Sequence, residues 1–338
     1  MFLGMTPVRI SFTGGGTDIP EYYEENGGSV ITSCISRFMY VIITSRQDNS
    51  FQAFSSDFQI HHQPTSYENL EPQYGTEIAV SVIKHLGYKE GANFLICSDV
   101  PPGSGLGASG ALAVNLVKII SSLNGEDWNK EKIAETAYYI GRNILHWPIG
   151  KQDEYATAFG GFNYIKFSKE KVDVFPISIT RDSLLELQQN LLLFFIGTTR
   201  NSSTILSTQI ERIKQKQKDT TESLHYVKQL AEDMYKSLGR SDITSVGEIL
   251  HKNWLAKKKF AKGVTNENID RIYETAIKQG ATGGKLTGAG GGGHMLLYCE
   301  LPKQQTVIQK MESLGLKHIR FGFSNEGPKV LNLYDFTK

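Results

Sequence analysis

Residues 99–110 read DVPPGSGLGASG and run directly into ALAVNLVKII. Turn chemistry gives way there to helical periodicity. Leu112, Leu116, Ile119, Ile120 and Leu123 recur on one helical face, and Asn124–Gly125 supplies a stop. Ahead of the loop, ANFLICSDV (92–100) has the composition of a strand. The loop therefore joins a strand to a helix that begins near Ala108. Such a helix start offers unpaired N–H groups and the positive end of a dipole, and glycines let backbone wrap a ligand without Cβ clashes. The stretch is suited to hold an anion, and Ser104 and Ser109 add hydroxyls. Ser109, in the first helical turn, can reach a phosphate or a bound Mg²⁺.

Gly105 to Gly110 also spell G-x-G-x-x-G. A dinucleotide site needs a βαβ unit and an acid about 20 residues on, at the end of a second strand. Asp127 falls at about that distance, but GEDWNKEK joins two helical stretches, so the unit fails. A Walker A loop needs GK[ST] and a protein kinase needs HRD and DFG; none is present.

Working outward, VRISF (8–12) and two β-rich runs within 29–45 read as strands, and residues 46–72 as hairpins and loops. Helices are expected at 77–87 and about 129–146, and a hairpin over 161–177. The second half begins with a buried strand at 190–196. Helical stretches follow to about 278, then short strands at 283–287 and 294–299, a helix (303–314) and strands at 318–323 and 329–334. Strand, helices, strand, strand, helix, strand is the split βαβ order of a ferredoxin-like domain. The expected class is α+β, with a soft boundary near residue 180 and no flexible linker.

Composition narrows the partners. Lys plus Arg number 36 and Asp plus Glu 35, a net charge of +1, so nothing drives the chain globally toward nucleic acid or anionic lipid. Two basic clusters, Lys214/Lys216/Lys218 and Lys257–Lys259, read as solvated helix faces. The longest apolar run, LLLFFI (191–196), is too short to span a bilayer, and the start lacks a signal-peptide pattern. Three scattered cysteines suit a reducing cytoplasm. A small-molecule partner is expected, with the protein a cytoplasmic monomer or homodimer.

The extended loop PPGSGLGASGALAV resembles the phosphate loop of the GHMP small-molecule kinases. PVRISFTGGGTD (7–18) resembles that family's N-terminal substrate-side motif and KLTGAGGGG (285–293) its C-terminal glycine motif, in the right order. Residues 280–293 hold eight glycines, more than a simple turn needs. The resemblance spans nearly the whole chain. It implies an N-terminal ribosomal protein S5 domain 2-like domain (1–180), a C-terminal ferredoxin-like domain (181–338), ATP and Mg²⁺ as cofactors, and a site between the domains. GGGTD, GKQDEYATAFGG (150–161) and GTTRNSS (197–203) are most similar to the branch that phosphorylates the anomeric hydroxyl of D-glycero-D-manno-heptose 7-phosphate, giving the 1,7-bisphosphate. Fucokinase-type sugar kinases share much of this pattern.

The resemblance also implies roles. Pro102, Gly103, Ser104, Gly105, Leu106, Gly107, Ala108 and Ser109 would bind ATP phosphates, with Ser109 on Mg²⁺. Asp153 would orient the acceptor hydroxyl and take its proton late; the alternative is a surface or capping aspartate. Arg9 would hold Asp153 ionised and neutralise the transferring phosphate; the alternative is a strand arginine facing solvent. Thr17 and Asp18 would meet sugar hydroxyls, with Gly290 and Gly291 against the substrate; for Asp18 the alternative is a turn residue. Lys151 and Arg200 are candidates for the phosphate already on the sugar.

One departure stands out. Family members of this branch tend to carry Glu-Arg-Glu, a source of a second Mg²⁺ ligand, where this chain has Gly141–Arg142–Asn143. Glu135 lies more than a turn away. A catalytically silent sugar or nucleotide sensor on the same fold is the alternative that this departure raises.

Overall fold

The computed structural model describes residues 1–197 and 202–333. In chain order the elements are β1 (Phe2–Thr13), α1 (Pro20–Asn26), β2 (Gly28–Ser45), β3 (Phe51–Ser55), β4 (Ile60–His61), α2 (Glu77–His85), β5 (Ala92–Ser98), α3 (Ala108–Leu123) and α4 (Lys130–Tyr139). A π-helical turn, Ile140–Ile144, prolongs α4, and α5 (Gln152–Phe159), β6 (Phe162–Phe167) and β7 (Val172–Pro176) follow. The second half comprises α6 (Arg181–Gln189), β8 (Leu191–Phe195), α7 (Ser202–Lys214), α8 (Lys218–Gly239), α9 (Ser245–Lys257) and α10 (Glu267–Lys278). It ends with β9 (Gly283–Leu286), β10 (His294–Tyr298), α11 (Leu301–Ser313), β11 (Lys317–Ile319) and β12 (Lys329–Asn332).

The first sheet runs β12-β1-β2-β5-β3-β4, with β6 and β7 branching from β2. Residues 28–45, read from the sequence as two strands, form one strand of 18 residues. Its two halves take different partners: Gly28–Ser33 pairs with β6 and Met39–Ser45 with β5, while β1 lies along the other edge. The β1–β2 register shifts between Pro7 and Arg9, and the Arg9 N–H donates to the Leu106 carbonyl at 2.9 Å. Strand β1 is thereby tied at Arg9 to the glycine-rich loop.

The second sheet is antiparallel throughout, in the order β11-β8-β10-β9. Helices α7 to α10 separate β8 from β9, and α11 separates β10 from β11. The last strand, β12, leaves this unit and pairs with β1 in the first sheet.

Apolar periodicity explains the cores. In α3, Leu116, Ile119 and Ile120 are fully buried and Leu112 nearly so, as their spacing on one face requires. A second core under the smaller sheet gathers Leu192, Phe194, Trp254, Met295 and Leu297. Helix α8 serves both: Leu224 and Val227 join the second core, Leu230, Met234 and Leu238 the first. A shared helix, rather than a linker, connects the two halves. Among the described residues no helix is long and apolar enough to cross a membrane.

After α3 the chain enters α4 without an intervening strand, so no βαβ unit surrounds Gly105–Gly110. Asp127 pairs with Lys118 at 3.2 Å with its side chain 98% exposed, in no position to grip a ribose.

Candidate active site

A cavity of about 350 Å³ lies where the phosphate loop, β1, the 14–18 turn, the start of α5, the end of α9 and the 287–292 loop converge. Its wall includes Pro102 to Gly105, Gly107 to Ser109, Arg9, Asp18, Asp153 and Gly290. Helix α3 starts after Gly107, which is left-handed at φ 75°, and no side chain caps it. Its first N–H groups are thus left for a ligand. Ser109 is exposed in that first turn, while the buried Ser104 Oγ has no protein partner.

Arg9 and Asp153 meet across this opening. Nε and Nη2 of Arg9 donate to the two Asp153 oxygens at 2.8 Å each, and Nη1 donates to the Gly105 carbonyl at 2.8 Å. The fork-on-fork geometry is that of strong guanidinium–carboxylate recognition. The Arg9 side chain is 4% exposed and that of Asp153 32%, so the arginine is not a solvent-facing strand residue and the carboxylate keeps a face toward the cavity. Gly110 permits this approach, since a Cβ there would come within 2.7 Å of the Asp153 Cβ.

Asp18 is committed to backbone. Its oxygens accept from the N–H groups of Gly16 at 2.9 Å and Gln152 at 3.1 Å, and a Cβ on Gly150 would strike its Oδ2. Burial, opposed by those backbone donors, pushes its carboxyl above the usual range, with Asp153 adding to the rise. It lines the cavity and fixes the turn that presents Gln152 and Asp153. Thr17 is fully buried, its hydroxyl donating to the carbonyls of Gly14 and Ser29; it does not line the cavity.

The two glycine loops are in backbone contact. A Cβ on Gly288 would lie 2.5 Å from the Gly105 Cα, and one on Gly293 2.4 Å from the Ser104 carbonyl oxygen. His294 Nδ1 completes the seam with the same carbonyl at 2.8 Å. Gly290 lines the cavity, whereas the Gly291 N–H donates to the Val264 carbonyl at 2.8 Å. The seam accounts for Gly288 and Gly293, while Gly283, Gly284 and Gly290 are held to glycine by Gly247, Leu296 and Val264 instead.

Lys151 caps α5 but turns away from the cavity. Its Nζ contacts Glu135 Oε1 at 2.5 Å, an oxygen that also accepts from the Tyr155 hydroxyl, and lies 5.2 Å from the Tyr138 ring centroid. Arg200, with most of the 197–203 motif, lies outside the described residues. A Cβ on Gly141 would meet Ile149 Cδ1 at 2.6 Å, so an apolar side chain fills the space above it.

Two groups escaped the sequence reading. Glu154, beside Asp153, is 3% exposed with Oε2 unpartnered; burial foremost, then the Asp153 charge, pushes its carboxyl well above the usual range. Only its place in GKQDEY marked it. Lys257 corrects the expectation of a solvated basic face: it is 5% exposed and lines the cavity. Packing of α9 on β9 buries it, which a run of three lysines cannot reveal. Lys258 of that run pairs with Asp270 at 3.2 Å. The other cluster does sit in solvent, the three side chains being at least 63% exposed.

With this geometry established, the chain belongs to the GHMP kinase family: the model of the GHMP kinases N terminal domain matches residues 74–161 and that of the GHMP kinases C terminal matches residues 234–316. More particularly, it is 32% identical to a D-glycero-alpha-D-manno-heptose 7-phosphate kinase of Campylobacter jejuni, over 96% of this chain and 97% of that one. An L-fucokinase/L-fucose-1-P guanylyltransferase of Bacteroides fragilis is 24% identical over 91% of this chain and 35% of its own length. Among solved structures, a putative sugar kinase from Campylobacter jejuni superposes with a TM-score of 0.79 at 31% identity, covering 98% of both chains. A D-glycero-D-manno-heptose 1-phosphate kinase from Bacteriodes thetaiotaomicron shares the fold, with a TM-score of 0.81 at 24% identity over 98% and 99%.

Proposed function

We propose that this kinase transfers the terminal phosphoryl group of ATP to the anomeric hydroxyl of D-glycero-D-manno-heptose 7-phosphate. The near full-length identity to a heptose 7-phosphate kinase supports the substrate. The observation that carries the chemistry is the Arg9–Asp153 pair, joined to the phosphate loop through the Gly105 carbonyl.

In this reading the nucleotide phosphates sit on the N–H groups of residues 103–109 and on the Ser104 hydroxyl. The sugar enters beside Asp18 and Gly290 with its anomeric hydroxyl at Asp153. The oxygen attacks the terminal phosphorus, the bond to the ADP oxygen breaks, and the hydroxyl proton passes to Asp153 as charge builds on the phosphoryl oxygens. Arg9 keeps the carboxylate oriented and offsets that charge. Holding both reactants in one cavity contributes through positioning.

Mg²⁺ fits the donors present. The exposed Ser109 hydroxyl would hold it with the nucleotide phosphates and waters, a sparse protein set of the kind this ion accepts, and it would neutralise charge on those phosphates. We further infer domains at 1–180 and 181–338, S5 domain 2-like and ferredoxin-like. The antiparallel order β11-β8-β10-β9 and its intervening helices support the second label, with β12 returning to the first unit.

A coupled ADP-release assay tests the substrate against mannoheptose 7-phosphate, fucose, galactose, galacturonate, mannose and mevalonate. Turnover of the heptose phosphate well above the others is expected. Turnover of an unphosphorylated sugar alone would overturn the substrate and leave the kinase standing; nucleotide binding with no turnover across the panel would favour a silent sensor.

A further inference from the structure

Among the described residues lining the cavity, two carry cationic side chains, Arg9 and Lys257. Arg9 is spent on Asp153 and the Gly105 carbonyl. We propose that Lys257 is the phosphate-binding cation of this cavity, its third ammonium N–H donating to a phosphoryl oxygen of a bound substrate. The inference rests on the kinase reading above and deepens it.

The geometry comes first. Lys257 ends α9 with its ammonium buried beneath the C-terminal glycine loop, where it donates to the carbonyls of Leu286, at 3.2 Å, and Gly288. An ammonium has three donors. The two carbonyls fix the nitrogen on the cavity wall and leave one donor over. A purely structural lysine at this depth would be costly, because two neutral carbonyls do not offset a buried charge. An arriving phosphate would.

Its electrostatic surroundings agree. Burial foremost, then the Arg9 cation, pushes the ammonium down to about 7, with Asp18 acting in the opposite direction. Lys285 on β9 is buried nearby, and burial together with Lys257 and Arg9 pushes its own amine well below the usual range. Among the described residues no carboxylate pairs with Lys257, although Asp18, Asp57, Glu77, Asp153 and Glu154 also line the cavity. An anion bound there draws a proton onto Lys257 and gains the full charge on binding. Lys151, the candidate named from the motif, is engaged by Glu135.

Two phosphoryl groups could meet this nitrogen: the terminal one of the nucleotide and the one the sugar already carries. Calorimetric titrations of the full-length wild type and of Lys257→Met separate them, using ADP against a non-hydrolysable ATP analogue, and mannoheptose against its 7-phosphate. The expected result is a loss of at least tenfold in affinity, in Lys257→Met, for the phosphate-bearing member of one pair, with its partner ligand within about threefold. Loss in the nucleotide pair assigns the terminal phosphate; loss in the sugar pair assigns the sugar phosphate. Affinities unchanged from wild type for all four ligands in a folded Lys257→Met overturn the proposal. Should that variant not fold, Lys257→Gln takes its place in the same four titrations, with the same expected loss and the same overturning result. Failure of the sugar reading is distinct: no heptose would be turned over, while the nucleotide pair still reports on Lys257.

Discussion

Arg9 and Asp153 lie 144 positions apart in the chain and share two hydrogen bonds of 2.8 Å. One sits on β1 of the larger sheet and the other in the first turn of α5, and the arginine's remaining nitrogen donates to the Gly105 carbonyl of the glycine-rich loop. A single guanidinium thus sets the distance between Asp153, the proton acceptor in the proposed mechanism, and the glycine-rich loop proposed to hold the nucleotide phosphates.

Asp153→Asn keeps the shape and removes the proton acceptor. Turnover should fall by about 10²–10⁴, the range general base groups contribute, with nucleotide affinity retained. Steady-state ADP release and nucleotide titration check both. Arg9→Met should lose comparable activity and cost about 1–3 kcal/mol of stability, less than a fully buried pair because Asp153 is part exposed. Denaturant unfolding measures it.

Gly288→Ala tests the loop seam. The new Cβ would fall 2.5 Å from the Gly105 Cα, at a residue with φ +66°, so the phosphate loop must shift. Nucleotide affinity should drop about tenfold or more, which is 1.4 kcal/mol, with the melting temperature lowered. Unchanged affinity would mean that the seam does not set the nucleotide site.

Glu154 gives a pH signature. Its carboxyl titrates well above the usual range when folded, and near 4.3 when unfolded. The folded state binds the proton more tightly, so the group's contribution to stability is present below about pH 4 and lost as pH rises toward the folded value. Glu154→Gln removes that loss. Its melting temperature should exceed that of wild type at pH 8 and match it near pH 4. A variant equally destabilised at both would contradict the assignment.

Lys151→Met should shift stability by less than about 1 kcal/mol, as for a partly exposed ion pair, and leave affinity for the heptose phosphate within about threefold. Its ammonium is taken by Glu135. A tenfold loss in a calorimetric titration would return it to the substrate site.

Much of this was legible in the sequence, and the limits have physical causes. The glycine-rich loop, the helix start at Ala108 and most of the longer elements follow from glycine placement and apolar period, which are local. The short helices α1, α5 and α6, and the pairing of β12 with β1, are not in that reading because they depend on tertiary packing. The break expected inside 28–45 does not occur. Ser36 and Arg37 fall between the β6 and β5 pairings and at the β1–β2 register shift. There the 320–323 segment supports the strand, with Ile35 opposite Phe323 and the Ser36 N–H donating to the Gly322 carbonyl at 2.8 Å. Asp153 and Arg9 were nameable from motifs, but their contact is tertiary. Asp18 lines the cavity, and its bonds to Gly16 and Gln152 match the turn residue that the sequence left as the alternative. Lys257 was misread because a charged residue's burial depends on what packs over it.

Phosphorus NMR of the product tests the central claim most directly. With mannoheptose 7-phosphate and ATP, a new phosphorus resonance coupled to the anomeric proton should appear alongside the retained 7-phosphate signal, and Asp153→Asn should all but abolish it. A new phosphate on any other carbon, or the same product formed at wild-type rate by Asp153→Asn, would contradict the account.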